Sequence, residues 1–282
     1  MVHMEYRSTK FHSIIIRELI CKPTRVMGWA RSSFVTSRLN SVKLLTIECM
    51  PNSLNVSSPV NALVQGILRE DKTLGSILEH GNFGLGTFND LDGEMVLVNG
   101  IFYQLKSDGS VDKAALDISS PYACVTNFDS NDPIYLDSSG DYLDLQNTIS
   151  NKMLSSNLIY AIRVEGLFSN IHARSVPKQH CYRPLVDVAG DQVEFNFESI
   201  AGQIVGYWTP AFMGSITVPG FHLHFLSGDK FHGGHLLDCA LDSGRLWLQA
   251  IDQLTLDLPH SAAYLESELV KDTYSALNKA EH

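Results

Sequence analysis

Between residues 58 and 282, apolar positions recur with helical spacing only near the two ends and follow strand-like patterns over most of the chain between. Val60, Leu63, Val64, Ile67 and Leu68 fall three and four residues apart. That spacing predicts a helix from residue 59 toward 80, with residues 74–80 forming a second short one after Asp71. Gly81, Gly84 and Gly86 punctuate a bend into strand structure. Residues 94–98 and 101–105 flank Asn99-Gly100, the dipeptide that a two-residue type I′ hairpin turn demands, and residues 107–110 predict a further hairpin turn. Residues 122–128 read as a strand, 129–143 with four Asp as a loop, and 145–154 as a short amphipathic helix. Strands are predicted at 158–176, 192–197 and 203–209, then at 236–241 and 245–251 paired around a Ser243-Gly244 turn. After Leu258-Pro259, the positions Ala262, Leu265, Leu269, Tyr274 and Leu277 return to helical period. No alternation of strand and helix of the βαβ kind is present, so the fold class is α+β and strand-dominated.

The pattern is sharpest at residues 219–235. Phe221, Leu223 and Phe225 are apolar and His222 and His224 fall between them. Residues two apart on a strand share a face, so the two imidazoles stand together while the apolar three bury the other side. Gly233-Gly234-His235 follows, and the paired glycines leave room for a close backbone approach that folds a third imidazole over the first two. Three neutral imidazoles with a position left open describe a catalytic metal site, and zinc is the metal that suits it. The plainer reading is a strand with two solvated histidines and an unrelated loop histidine. His232 competes for the third place; the glycine pair favours His235.

Composition narrows the partners. The chain has 282 residues, 44% of them hydrophobic, and a net charge of −10. Residues 1–49 carry eight Lys/Arg against three Asp/Glu, and the remainder thirteen against twenty-eight. The globular part is acidic without a basic stripe, which excludes nucleic acid as the expected partner. No apolar run approaches a membrane span. Cys21, Cys49, Cys124, Cys181 and Cys239 are odd in number and lack CxxC spacing, which suits free thiols in a reducing, cytoplasmic setting. Cys124 and Cys239 read as small buried hydrophobes, and Trp208 as core. Residues 1–57 form a basic extension outside the expected fold. It reads as an organelle transit peptide, a disordered arm, or sequence upstream of a true start at Met50.

Several stretches together resemble the α-acetolactate decarboxylase family. They are Gly81-Asn-Phe-Gly-Leu-Gly-Thr-Phe-Asn-Asp-Leu-Asp-Gly-Glu94, Phe102-Tyr-Gln-Leu-Lys-Ser-Asp-Gly109 and Tyr160-Ala-Ile-Arg-Val-Glu-Gly-Leu-Phe168. His172-Ala-Arg-Ser-Val176, Gly206-Tyr-Trp-Thr-Pro210 and the histidine stretch continue the likeness, which covers residues 58–282 in order. The resemblance implies a cytoplasmic, zinc-dependent homodimer (organellar if residues 1–49 are a transit peptide) that converts 2-acetolactate to acetoin and carbon dioxide. It implies two related α+β halves with large mixed β-sheets and helices at both ends. It also implies His222, His224 and His235 as zinc ligands, with Glu94, Arg174 and a carboxylate of the C-terminal tail, best matched by Glu281, in the active site. The flanking Ala173 and Ser175 depart from the family's Thr-Arg-Thr-Val, leaving the Arg in place. Read alone, Glu94 is a solvated hairpin carboxylate and Arg174 a surface arginine. Loss of carbon dioxide leaves negative charge on the substrate's oxygens, and a Lewis acid with flanking acid–base groups answers that need. A non-catalytic cupin-like metal-binding β-domain and a three-His zinc hydrolase with Glu94 as base are the competing functions.

Overall fold

The computed structural model describes residues 52–129, 132–181 and 183–269. The chain runs β1 (Ser53–Val56), α1 (Val60–Val64), α2 (Leu74–Leu78), β2 (Phe83–Thr87), β3 (Glu94–Val98), β4 (Ile101–Leu105), β5 (Val111–Lys113), β6 (Tyr122–Thr126) and β7 (Ile134–Leu136). It continues α3 (Tyr142–Ser150), β8 (Ile159–Ser175), α4 (Leu185–Val188), β9 (Val193–Thr209), β10 (Gly220–Ser227), β11 (Gly233–Ile251), β12 (Gln253–Leu256) and α5 (Ala262–Leu265). The strand-dominated α+β class expected from the pattern is the class observed.

Two sheets result. A seven-stranded one has the order β12-β1-β6-β2-β3-β4-β5, mixed because β1 and β12 are parallel. The second has the order β10-β9-β8-β11-β7, and β10 also pairs with the start of β11. That extra pairing closes β10, β9, β8 and β11 into a ring and covers the His224–Leu226 part of the edge that β10 would otherwise present. One hydrophobic cluster joins the sheets, with Leu54, Phe83, Leu85 and Val96 meeting Ala161, Val205, Tyr207 and Leu226. The other side of the ring buries Phe168, Ile204, Phe221, Leu223 and Phe225 with Leu145 and Ile149 of α3.

The hairpin of β3 and β4 turns at Asn99 and Gly100 with φ of 52° and 74°, the left-handed pair expected of Asn-Gly. Four expectations change. The first helix stops at Val64, because Gly66 adopts φ of 87°. The loop at 129–143 contains β7, which pairs with Gly244, Arg245 and Leu246. No turn forms at Ser243-Gly244: β11 runs through it, since β8 offers partners along its whole length and register shifts near Leu236, Ala240 and Leu241 absorb the irregularity. The boundary at residue 58 also moves, because β1 lies upstream of it and pairs with both β6 and β12. Of the C-terminal helical positions, Tyr274 and Leu277 lie outside the described residues, and α5 makes a single turn.

Candidate metal centre

β10 places its apolar residues in the cluster shared with α3, so His222 and His224 project toward the seven-stranded sheet. There the His224 Nδ1 meets the Met95 carbonyl of β3 at 2.8 Å. A carbonyl only accepts, so Nδ1 carries the proton and Nε2 keeps its lone pair. The Nε2 is buried without a hydrogen-bond partner among the described residues, and Glu94 Oε2 lies 3.6 Å away. Burial holds the His224 pKa well below the usual imidazole range; His222 and Arg174 lower it further, against the Met95 bond. A neutral ring with an orphaned lone pair is what a metal ligand requires.

His235 arrives from the next strand. It is the direct cross-strand partner of His224 on one side and of Arg174 on the other. The close approach depends on the glycines before it. A Cβ at Gly233 would stand 2.6 Å from the Phe225 carbonyl oxygen, and one at Gly234 would stand 2.6 Å from that of Arg174. The three imidazole centroids are mutually 5.2 Å apart, and one ring nitrogen from each lies within 4.8 Å of the others. All three residues are buried. Three imidazole nitrogens converging in a buried site fit zinc.

Glu94 opens β3 directly after the Gly93 turn and is buried, as is Arg174 near the end of β8. Both line a cavity with His222, Thr87 and Tyr122, walled by Leu63, Leu91, Val176 and Leu185. Thr87 Oγ1 donates to the Gly93 carbonyl at 2.8 Å and so fixes the turn that presents Glu94. The surface readings of Glu94 and Arg174 taken alone are overturned by this burial. His232 is exposed, packs on Phe197 with ring centroids 5.0 Å apart, and stands outside the cluster. Glu281 lies outside the described residues.

Sequence reasoning missed the Met95 carbonyl, since backbone acceptors carry no residue signature. It also missed the apolar wall. Leu63 reads only as a buried helix position, and Leu185 falls between the strands predicted at 158–176 and 192–197. Trp208, read as core, is only partly buried and packs on Phe221.

The family model described as alpha-acetolactate decarboxylase matches residues 54–271. The chain is 39% identical over 225 residues to the alpha-acetolactate decarboxylase of Raoultella terrigena, a match spanning 79% of this chain and 87% of that one. It is 36% identical over 231 residues to the one from Brevibacillus brevis, with 82% and 81% covered. The crystal structure of alpha-acetolactate decarboxylase from Bacillus subtilis strain 168 superposes with a TM-score of 0.79 at 33% identity, over 81% of this chain and 99% of that chain.

Proposed function

The chain belongs to the α-acetolactate decarboxylase family, and from that premise we propose that its buried histidine triad holds the zinc ion of a 2-acetolactate decarboxylase producing acetoin and carbon dioxide. The observation that carries the metal role is the convergence of three buried imidazoles within 4.8 Å, one of them kept neutral by burial.

In the reaction the carbon–carbon bond to the carboxylate breaks, and its electron pair passes toward the neighbouring keto oxygen. A proton must then reach the carbon that lost carbon dioxide. A zinc ion held by His222, His224 and His235 would supply Lewis-acid stabilisation of the negative charge developing on the substrate oxygens. The Met95 carbonyl holds the His224 ring in the tautomer that leaves Nε2 free. Arg174 binds the substrate's polar oxygens and positions or supplies the proton on one face. Glu94 accepts or returns a proton beside His224, and Glu281 of the C-terminal tail completes the acid–base set. Leu63, Val176 and Leu185 receive the substrate's methyl groups and keep water from the charged species.

The same reading makes the protein a cytoplasmic homodimer, or an organellar one if residues 1–49 are a transit peptide. Support comes from the family, and from the free thiols of Cys124, Cys181 and Cys239, which suit a reducing compartment. Light scattering on the eluting peak tests the dimer.

The metal role is tested by measuring acetoin formation and metal content of the purified full chain before and after chelation. Zinc removal should abolish turnover and zinc addition should restore it. Undiminished activity in metal-free protein overturns the assignment.

A further inference from the structure

A second polar cluster lies in the ring sheet, and none of the residues around it lines the histidine cavity. Val164, Ile204 and Leu246 point into the cluster shared with α3. Their neighbours Glu165, Gln203 and Arg245 therefore share the other face, in one row across β11, β8 and β9. Glu165 is the direct cross-strand partner of both Arg245 and Gln203, and Arg163 is that of Trp247.

The charges in this row do not balance. Glu165 Oε2 accepts from Arg245 Nη2 at 3.1 Å, while its Oε1 accepts from Arg163 Nη2. The two guanidinium groups also pack on the Trp247 ring, at 5.4 Å for Arg163 and 5.2 Å for Arg245. A third cation arrives on the turn between β10 and β11. Lys230 donates to the Ser227 carbonyl at 3.2 Å and forms no ion pair among the described residues. Burial lowers its pKa and Arg163 adds to that, while Glu165 and Asp229 oppose it, and the ammonium lies 5.9 Å from the centroid of the Tyr103 ring. Asp137 lines the groove and Asp229 acts on Lys230 from the same turn, so three cations stand with three carboxylates, and both arginines share the single carboxylate of Glu165.

Space is present as well. A groove of about 760 Å³ runs between Glu165, Gln203, Lys230 and Arg245, and glycines on β8, β9 and β11 keep side chains out of it. Gln203 is only 6% exposed, and its Oε1 has no hydrogen-bond partner among the described residues; the same holds for Arg163 Nε. Buried polar atoms left in this condition are costly in a protein that uses the cluster only as internal packing.

We propose that this groove is a second ligand site, which binds a small oxyanion, carboxylate or phosphate, between Arg245 and Lys230. The guanidinium offers paired donors to two oxygens of one anion, and the ammonium, which lines the same groove, adds a point charge. Arg163 stays tied to Glu165, outside the groove lining, and leaves Arg245 to the anion.

Trp247 reports on the site because it touches the guanidinium that would move. The full-length zinc protein is titrated with inorganic phosphate, and separately with acetate, at ionic strength held constant with sodium chloride. Indole emission and calorimetry are followed together. Saturation is expected in the range of about 1 mM, and the tighter of the two anions identifies the source of the oxyanion. Trp247→Phe should remove the emission change and leave the calorimetric one. Lys230→Met and Arg245→Met should each weaken binding by about 10-fold or more, the loss of one charged hydrogen-bond partner, while Lys178→Met, at a lysine that pairs with Asp92 at 3.5 Å and does not line the groove, should bind normally. Arg245 is half-exposed and Lys230 sits on a turn, so the single variants can be checked for unchanged melting and acetoin formation. No saturable response to either anion overturns the proposal. So does a response that survives in both single variants and competes with 2-acetolactate, because the anion is then at the histidines.

Discussion

His224 and His235 face each other directly across the β10–β11 ladder, with ring centroids 5.2 Å apart. That ladder is also the pairing that closes the four-stranded ring. The geometry of the histidine cluster and the closure of the fold are therefore one feature, and a change that opens the seam separates the imidazoles.

Replacing His222, His224 or His235 singly with Ala removes one of three donors. Each variant should lose its metal and lower acetoin formation by about 100-fold or more, at least the scale seen when a metal's supporting groups are lost. His232→Ala should retain both, since its ring lies on Phe197 outside the cluster. Atomic absorption on the four variants decides the matter. A full complement of metal in His235→Ala would return His232 to consideration.

Much of this site was legible because β-strand alternation is strict. Phe221, His222, Leu223, His224 and Phe225 can divide between faces in only one way, and Gly233-Gly234 marks a backbone approach that no side chain tolerates. The hairpin at Asn99-Gly100 was legible for a similar reason: its left-handed angles select those residues. Ser243-Gly244 carried the same kind of turn signal and misled, because β8 alongside supplies ladder partners past it and tertiary pairing outweighs local preference. The strand Ile134–Leu136 has three residues inside an Asp-rich stretch, too short to establish a period. The burial of Glu94 and Arg174 depends on how the two sheets stack, which no local pattern encodes.

Glu94→Gln keeps the size of the side chain and removes its charge and basicity. It should lower kcat by about 10²-fold or more, the scale of a general acid or base, with zinc content unchanged. Arg174→Lys should also lose turnover, because an ammonium cannot reproduce the paired donors of a guanidinium. Glu281→Gln is expected to behave like Glu94→Gln. Normal turnover in that variant, or in a chain stopped at Lys279, would leave the proton to Glu94 and Arg174.

Truncation locates the start of the fold. A chain beginning at Met50 keeps β1 and should match the full chain in activity and melting temperature. One beginning at residue 58 loses Leu54 and Val56, which are 0% and 1% exposed, and the backbone pairing of β1 with β6 and β12. Burying each such side chain contributes roughly 1.5–3 kcal/mol, so the shorter chain should melt several degrees lower or fail to fold. Equal melting of both truncated proteins would show that β1 contributes nothing.

Thiol chemistry should divide the described cysteines sharply. Burial pushes the thiols of Cys124 and Cys239 up to about 12, whereas Cys181 is exposed. The thiolate is the reactive form, so near pH 8 an aromatic disulfide reagent should label Cys181 within minutes and the other two only after denaturation. Peptide mass spectrometry reads the outcome. The sign for stability follows from the same shifts. Unfolded thiols ionise near 9 and the buried pair only near 12, so their contribution is complete below pH 9 and is lost as pH rises toward 12. Rapid native labelling of Cys239 would mean that α3 and β11 separate readily.

The glycines provide the sharpest separation between stability and site geometry. Gly100 has φ of 74° with open space where a Cβ would stand, so Gly100→Ala strains one turn residue and touches nothing else. Its cost should be about 1–2 kcal/mol, the left-handed penalty of an ordinary residue, with metal content and kcat unaltered. Gly234 differs in kind. Its Cβ would stand 2.6 Å from the Arg174 carbonyl oxygen and 3.1 Å from the Ala173 Cβ, and the obstructing oxygen belongs to the backbone of β8. Overpacking of this sort costs typically about 1–3 kcal/mol, which is a similar loss of melting temperature. Relief, however, requires β11 to move away from β8, and His235 and Arg174 are paired at that rung. Gly234→Ala should therefore also weaken zinc binding and reduce turnover, and added zinc should restore part of both. If the two variants lose the same stability and both keep full metal and activity, the seam has slack and the coupling between ring closure and the histidine cluster does not hold.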